Sequence, residues 1–444
     1  MFLRILLSML LLLPLWQPAL AATAGAPQPK SDSDYAQLDL LADVLALVQQ
    51  NYVEPVTLHD MVYGAIDGLL TSLDPHSEFM TPEMFREAQI ETEGEFNGLG
   101  IEITARDQFI TVIAPIADTP AERAGIRAGD RIVEINGVPT QQMSLMQAVQ
   151  KMRGQRGEAI DLKVARPGHS DLLPFRLLRE KIQVASTKFR TLTPDIGYLR
   201  ITQFQMSTAQ ETQNALTSLA GKTRSGLQGL VLDLRNNPGG LLEQAVKVAD
   251  LFLDSGPIVS TRGRRDSDNS LYPATSPGTQ PRYPIVILID GGSASAAEIV
   301  AGALQDQKRA LILGTQSFGK GSVQTLIPLE DGSGLRLTTA QYFTPNGHSI
   351  QARGITPDIV VEPARWTVEN DAMPVREKDL KNHFTNVAAS SAPSKPVQTQ
   401  AVDRPDHDST EAVQQDFPLL RATDILLGWA RFAQLTPATG NGER

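Results

Sequence analysis

The chain has no cysteine. That excludes disulfides, a thiolate nucleophile, a Cys-ligated metal and a lipid-modified cysteine anchor. Histidine is scarce. The six that occur, His59, His76, His169, His348, His383 and His407, show no spacing of a nucleophile–histidine–acid triad. Positive charge is in deficit, with a net charge of −10, so neither nucleic acid nor an anionic membrane surface is expected as a partner. Aromatics make up only 5% of residues. Apolar residues make up 41%, enough for packed cores, and 444 residues are too many for one ordinary core.

Long hydrophobic runs are also missing, apart from Ile5 to Trp16, which Pro14 interrupts. That run is too short for a comfortable membrane span. Arg4 before it and Ala19-Leu20-Ala21 after it have the layout of a cleavable export signal over residues 1–21. An uncleaved anchor is the rival reading. Export places the mature chain outside the cytoplasm, most simply in a bacterial periplasm.

What is present divides the chain. Residues 22–34 are rich in Ala, Pro, Ser and Asp and read as a flexible lead. Over residues 35–93 the pattern is helical: Leu38, Leu41, Leu45, Val48 and Tyr52 recur at three- and four-residue steps, and a second helix is expected over 57–72. The first apolar stripe suits either the chain's own core or a dimer seam. Residues 94–182 change to short strands between Gly and Pro turns, with a helix over Ser144 to Met152. From 183 to 363 strands and helices alternate. The strand runs Gly197–Thr202, Gly229–Asp233, Ile285–Ile289 and Ala310–Leu313 are largely apolar, so a mainly parallel, buried sheet is expected. A hairpin over 322–343 follows. Residues 364–415 read as a linker and 416–444 as a helical tail that needs a surface, on this molecule or on another subunit.

Two stretches carry the chemistry. Gly292-Ser293-Ala294-Ser295-Ala296-Ala297-Glu298 places a hydroxyl among small residues where a strand gives way to a helix. Ser295-x-x-Glu298 is also a capping box, which by itself explains the serine. The small neighbours leave room for an acyl group, and the helix N-terminus aims N–H groups at a developing oxyanion. Phe318-Gly319-Lys320-Gly321-Ser322-Val323-Gln324 supplies an alternative to histidine as base. Lys320 must be neutral to accept a proton, so its pKa must fall from ~10.4, which burial can bring about. A solvent-exposed loop lysine is the plain alternative. If 320–324 is a strand, Lys320, Ser322 and Gln324 share a face and Gln324 can hold the amine. A P-loop competes for Lys320, but Gly321 stands where Ser or Thr is required and strand follows where a helix is required.

Asp233-Leu234-Arg235-Asn236-Asn237-Pro238-Gly239-Gly240 reads as a strand–helix turn. Gly239 or Gly240 can offer an N–H that completes an oxyanion hole with Ala296. Gly98, Leu99, Gly100 and Ile101 form a glycine loop before an alternating strand. Either it is a hairpin turn, or its amides cradle a peptide carboxylate while the strand edge pairs with the peptide.

Taken in order, these motifs resemble the C-terminal processing peptidases, also called tail-specific proteases, over roughly residues 35–363. Leu73-Asp74-Pro75-His76-Ser77 and Tyr342 to Ile350 match further family signatures. Pro120 to Ile126, with Asn136-Gly137, is similar to the middle of a PDZ domain. The resemblance implies an α/β and β multidomain chain: a crotonase-like parallel-sheet core with a PDZ domain inserted before it. It also implies a serine endopeptidase with Ser295 as nucleophile, Lys320 as base and Gln324 orienting the lysine. Ala296, Gly239 and Gly240 are the implied oxyanion positions, and Gly98 to Ile101 the implied site for substrate C-termini. Neither metal nor cofactor is implied. Residues 364–444 match no signature. In some relatives such a tail helps build higher oligomers and a repeat-containing lipoprotein adaptor activates the enzyme, so a homo-oligomer and an adaptor are expectations here. A non-catalytic PDZ scaffold and a crotonase-type acyl-CoA enzyme are the competing functions. The complete Ser295–Lys320–Gln324 set speaks against the first, and the export signal against the second.

Overall fold

The computed structural model describes residues 32–106, 109–141, 143–223, 226–364, 376–377, 380–381 and 416–435. The expected export signal and nearly all of the expected linker lie outside the described residues. The chain divides into two compact units after Ser72.

The first unit holds helices α1 (Asp32–Asn51) and α2 (Leu58–Thr71). Helix α1 begins inside the segment expected to be a flexible lead. The Thr57 hydroxyl caps α2 by accepting from the Asp60 N–H at 3.0 Å. Leu38, Leu41, Val48 and Tyr52 are all exposed. Leu45 of the same stripe is half-buried.

The second unit opens with β1 (Glu78–Met80), α3 (Pro82–Glu93) and β2 (Glu95–Gly98). A β-rich module follows: β3 (Ile101–Arg106), β4 (Phe109–Pro115), α4 (Pro120–Arg123), β5 (Arg131–Ile135), β6 (Val138–Pro139), α5 (Leu145–Met152), β7 (Ala159–Ala165) and β8 (Leu173–Leu178). Its antiparallel sheet runs β3-β4-β5-β7-β8, with β6 beside β5. Strand alternation builds its core. Ile160, Leu162 and Val164 of β7 are buried while Asp161 and Lys163 are exposed. Ala148 and Met152 of α5 close that core from one side. Strand β9 (Glu180–Gln183) pairs with β2 outside this sheet.

The larger core comprises β10 (Thr187–Thr193), β11 (Ile196–Ile201), α6 (Thr208–Lys222), β12 (Gly229–Asp233), α7 (Leu242–Asp250), β13 (Pro257–Gly263), β14 (Ser270–Pro273), β15 (Ile285–Ile289), α8 (Ala296–Asp306), β16 (Leu311–Gly314), β17 (Ser322–Pro328), β18 (Gly334–Phe343) and β19 (Ile359–Val360). The chain's last described helix is α9 (Phe417–Leu435). One sheet runs β10-β11-β12-β15-β16-β19, parallel except for the antiparallel edge strand β10. A second, antiparallel sheet runs β1-β18-β13-β14, with β17 also on β18. Every residue of β12 and β15 is buried, as a sheet covered on both faces requires.

The two covers of that sheet differ. Leu230, Leu232, Ile285 and Ile287 face a core shared with Leu216 of α6, Val248 of α7 and Val300 of α8. Val231, Val286, Leu288 and Leu313 face the other way, against Leu419, Ala422 and Leu426 of α9. The tail helix therefore docks on its own molecule. A Cβ added at Gly229 would lie 3.4 Å from the Leu426 side chain, so the helix sits close to the backbone of β12.

Candidate active site

The buried strand β15 runs into a tight turn and then into α8, of which Ala296 to Leu304 are all buried. Ser295 sits at the junction with φ 54° and ψ −112°, a left-handed conformation that a non-glycine residue adopts only when its surroundings impose it. Several bonds impose it here. Ser293 Oγ donates to Leu234 O at 2.8 Å, and the Asp290 carboxylate accepts from the N–H groups of Gly292 (2.9 Å) and Asn236 (2.8 Å). The serine turn is thereby tied to the turn after β12.

Lys320 lies in the loop between β16 and β17. The strand begins only at Ser322, so Lys320 precedes it and its direction is not set by strand alternation. Ser322 and Gln324 do share a face, because Gln324 Nε2 donates to Ser322 Oγ at 3.0 Å. Its other bond goes to Thr338 Oγ1 at 3.2 Å. Among the described residues no hydrogen bond joins Gln324 to Lys320, or Ser295 to Lys320. The expected orienting contact of Gln324 is therefore replaced by bonds to two hydroxyls, which are nearer along the β17–β18 hairpin.

What brings the two motifs together is Glu298, a fully buried carboxylate. One oxygen accepts from Ser317 Oγ at 2.6 Å and from Gly319 N–H at 2.6 Å. The other accepts from the N–H of Ser295 at 2.8 Å and of Lys320 at 2.9 Å. Phe318 N–H adds a bond to Ser293 O at 3.0 Å. Capping was the only role read for Glu298 in the sequence. Its wider role had a visible signal: it is the one charged residue in the apolar run Ala296–Leu304. A carboxylate buried there needs several donors.

The electrostatics act on Lys320. Burial lowers its pKa below the ordinary 10.5, the Arg336 charge adds to this, and Asp74 and Glu78 oppose it. Arg336 is itself paired with Glu78 at 2.5 Å. The Asp74-Pro75-His76-Ser77 motif is a carboxylate-centred turn: Asp74 Oδ1 accepts from the N–H groups of His76 (2.8 Å) and Ser77 (2.9 Å), and from Thr338 Oγ1 (3.2 Å). Thr338 thus links Asp74 to Gln324. The Tyr342 side chain lies close enough to that of Ser295 to interact with it, and burial pushes the tyrosine pKa up to about 12. No sequence signal distinguished Tyr342 from the rest of its motif.

The glycine pair after β12 is close to the serine. A Cβ on Gly239 would fall 2.8 Å from Ser295 Cβ and 3.1 Å from Ala296 N. The Gly239 N–H, however, donates to Asn237 Oδ1 at 2.9 Å. That amide is thereby engaged, whereas among the described residues the Gly240 N–H donates to no backbone carbonyl.

The Gly98–Ile101 loop is not a hairpin turn. It joins β2, which pairs with β9, to β3, which pairs with β4. Gly100 has φ 76°, and a Cβ there would strike Thr119 at 2.3 Å. The loop borders a cavity of 240 Å³ that Ile103, Val149, Met152 and Arg153 also line. Strand β3 is the edge of its sheet beside α5, so an added peptide strand has open backbone groups to meet. Arg153, absent from the sequence reading, is ion-paired to Glu87.

Three family matches cover most of this chain: Peptidase family S41 over residues 195–361, PDZ domain over 111–166, and Activating protease CtpB N-terminal domain over 18–84. A carboxy-terminal-processing protease of Bartonella bacilliformis is 47% identical over 352 residues, 79% of this chain and 81% of that protein. The carboxy-terminal processing protease CtpB of Bacillus subtilis is 34% identical over 355 residues, 79% of this chain and 73% of that one. Among solved structures, a photosystem II D1 C-terminal processing protease is 32% identical. The match covers 74% of this chain and 94% of that one, at a TM-score of 0.43.

Proposed function

We propose that this chain, which belongs to the carboxy-terminal processing proteases of peptidase family S41 and carries a PDZ domain, cleaves by a Ser295–Lys320 dyad with an acyl-enzyme intermediate. The observation that supports the dyad is the Glu298 carboxylate, which bonds the main-chain N–H groups of both residues at 2.8 and 2.9 Å.

In this reading Lys320 Nζ, uncharged, takes the Ser295 hydroxyl proton as Oγ attacks the scissile carbonyl carbon. The electron pair moves to the carbonyl oxygen, where the N–H groups of Ala296 and Gly240 receive it. Collapse breaks the C–N bond, the lysine returns the proton to the leaving amine, and a serine ester remains. Water deprotonated by Lys320 then attacks the ester, releasing a carboxylic acid and the free hydroxyl. Gln324 acts through Ser322 and Thr338 on the strand that follows the lysine. Substrates are proteins with accessible C-termini, bound as an added strand on β3 with the carboxylate at Gly98, Leu99, Gly100 and Ile101. A crotonase-like core, a periplasmic site of action, a homo-oligomer and a lipoprotein adaptor belong to the same proposal, which requires no metal or cofactor.

The test is incubation of the purified chain with casein, together with a fluorophosphonate that captures activated serines. Cleavage and a covalent adduct at Ser295, both lost in Lys320→Ala, are the expected result. Absence of both from the wild-type chain, with and without cell extract, would favour a non-catalytic scaffold.

A further inference from the structure

The proposed mechanism uses the tip of the turn from Asp233 to Gly240 but leaves the charges at its root without a role. Asp233 ends β12 and is fully buried. It accepts from the Tyr198 hydroxyl at 2.8 Å and from Arg235 Nε at 2.9 Å and Nη2 at 2.6 Å. The free edge of the same guanidinium goes to Asp416: Nη1 to Oδ1 at 2.8 Å and Nη2 to Oδ2 at 2.7 Å. One cation is therefore gripped in two-pronged fashion by two carboxylates, 181 positions apart for the second pair. Asp416 also begins α9, where its Oδ1 accepts the Leu419 N–H at 3.2 Å.

Arg235 leads directly into the strained part of the turn. Asn236 has φ 53°, Gly239 φ 104° and Gly240 φ 133°. The middle of the turn is held from both flanks, by Asp290 on the serine side and by Ile201 O at the end of β11. At the root, the Arg235 peptide follows a side chain fixed by Asp233 and Asp416. Burying a charged group is costly, whereas Leu419, Ala422 and Leu426 already pack α9 on the sheet through apolar contact. An ion pair added at this one place points to a task beyond covering the sheet. Burial alone would raise the Asp416 pKa, but the Arg235 bonds and charge outweigh it and hold the acid ionised.

We propose that α9 is a clamp on the oxyanion turn, with Asp416 a positioning residue that acts through Arg235 on the placement of the Gly239–Gly240 amides. The clamp rests on the reading of that turn as part of the oxyanion hole. It makes the tail, which lies beyond the S41 match at 195–361, part of the catalytic apparatus. Turnover then depends on whether a segment reached through the 364–415 stretch is seated.

The experiment uses the full chain as wild type, Asp416→Asn, Asp416→Ala and Asp416→Glu. It reads kcat and KM on fluorescein-labelled casein, and hydrogen exchange of residues 233–241 and 417–435 by mass spectrometry. In Asp416→Asn, kcat is expected to fall about tenfold with KM within about twofold, the split expected when only transition-state placement is lost. Exchange of the turn should quicken roughly tenfold while α9 stays protected, and Asp416→Glu should recover most of both. Unchanged turn exchange in Asp416→Asn and Asp416→Ala overturns the clamp. So does a variant whose α9 loses protection while kcat stays at the wild-type value. If wild type cleaves no casein, the functional reading fails by itself, and the exchange result still decides the clamp.

Discussion

Ser295 and Lys320 are held by unlike means. The serine stands between two elements that are buried along nearly their whole length, β15 and the first nine residues of α8. Its unusual backbone is over-determined by that frame. The lysine sits in a loop, half-buried, beside a Phe318 that is 62% exposed. Its backbone hangs on Glu298, on the bond from Ala352 N–H to Gly319 O at 2.8 Å, and on Gln351 Oε1, which accepts the Gly321 N–H at 3.0 Å. A nucleophile fixed by buried packing as well as hydrogen bonds, and a base fixed by a few hydrogen bonds alone, can be expected to fail differently. Damage on the serine side should cost the fold. Damage on the lysine side should cost rate first.

The largest expected effect tests the base directly. Lys320→Ala should lower casein cleavage by about 10²- to 10⁴-fold, the range of a lost general base, with an unchanged circular dichroism spectrum. Loss of native structure in this variant would break the contrast. Next comes Glu298→Ala, which strikes both sides at once. It leaves Ser295 N–H, Ser317 Oγ, Gly319 N–H and Lys320 N–H without their acceptor. At ~1–3 kcal/mol for each buried donor left unsatisfied, stability in urea should drop by several kcal/mol. A loss below ~1 kcal/mol would mean that the carboxylate does not bind the two motifs together.

Gly321→Ala sharpens the lysine side alone. Its Cβ would meet Gln351 N at 2.3 Å, so the loop must shift. We expect a stability loss of about 1–3 kcal/mol and a larger proportional loss of kcat than of substrate binding. Equal kcat in variant and wild type would show the loop to be tolerant of displacement.

The smallest effect is electrostatic. Lys320 is depressed below 10.5 by burial and by Arg336, so cleavage should rise with pH through the lowered value. Arg336→Met removes a depressing charge and should move that rise to higher pH, whereas Asp74→Asn removes an opposing charge and should move it lower. Between the lowered value and 10.5 the unfolded chain binds the extra proton, so stability too should increase with pH across that window. A pH–rate curve that neither variant displaces would remove Arg336 and Asp74 from the tuning of the amine.

Much of this was legible in the residues. The apolar runs of β12 and β15 came out with the expected bounds, because a strand buried on both faces leaves no polar position to blur its ends. The helix expected over Ser144 to Met152 is present, and its start is closed by the Ser144 hydroxyl and the Gln147 side chain, which bond each other's backbone at 3.2 and 2.8 Å. Other features were not legible. Nothing near Gln324 shows that it bonds Ser322 and Thr338 instead of Lys320, since Thr338 arrives on the facing strand. The loss of the Gly239 amide to Asn237 depends on a side-chain rotamer. The glycine loop at Gly98 stayed open between a hairpin turn and a carboxylate cradle, because local sequence does not say which later strand will pair with β2.

From the order of residues alone came the family likeness, the order of strands and helices, and the candidate nucleophile and base. The element order follows from periodicities of two and of 3.6, which neighbouring residues dictate; the likeness and the candidate pair rest on short motifs and their order along the chain. Only the tertiary structure decided that Glu298 gathers both motifs and that Tyr342 stands beside the serine. It likewise decided that the far tail covers one face of the sheet and grips Arg235. Each of these is a contact between segments tens to hundreds of positions apart. Such contacts are selected by how the whole packs and how its buried charges are satisfied, which no local pattern encodes.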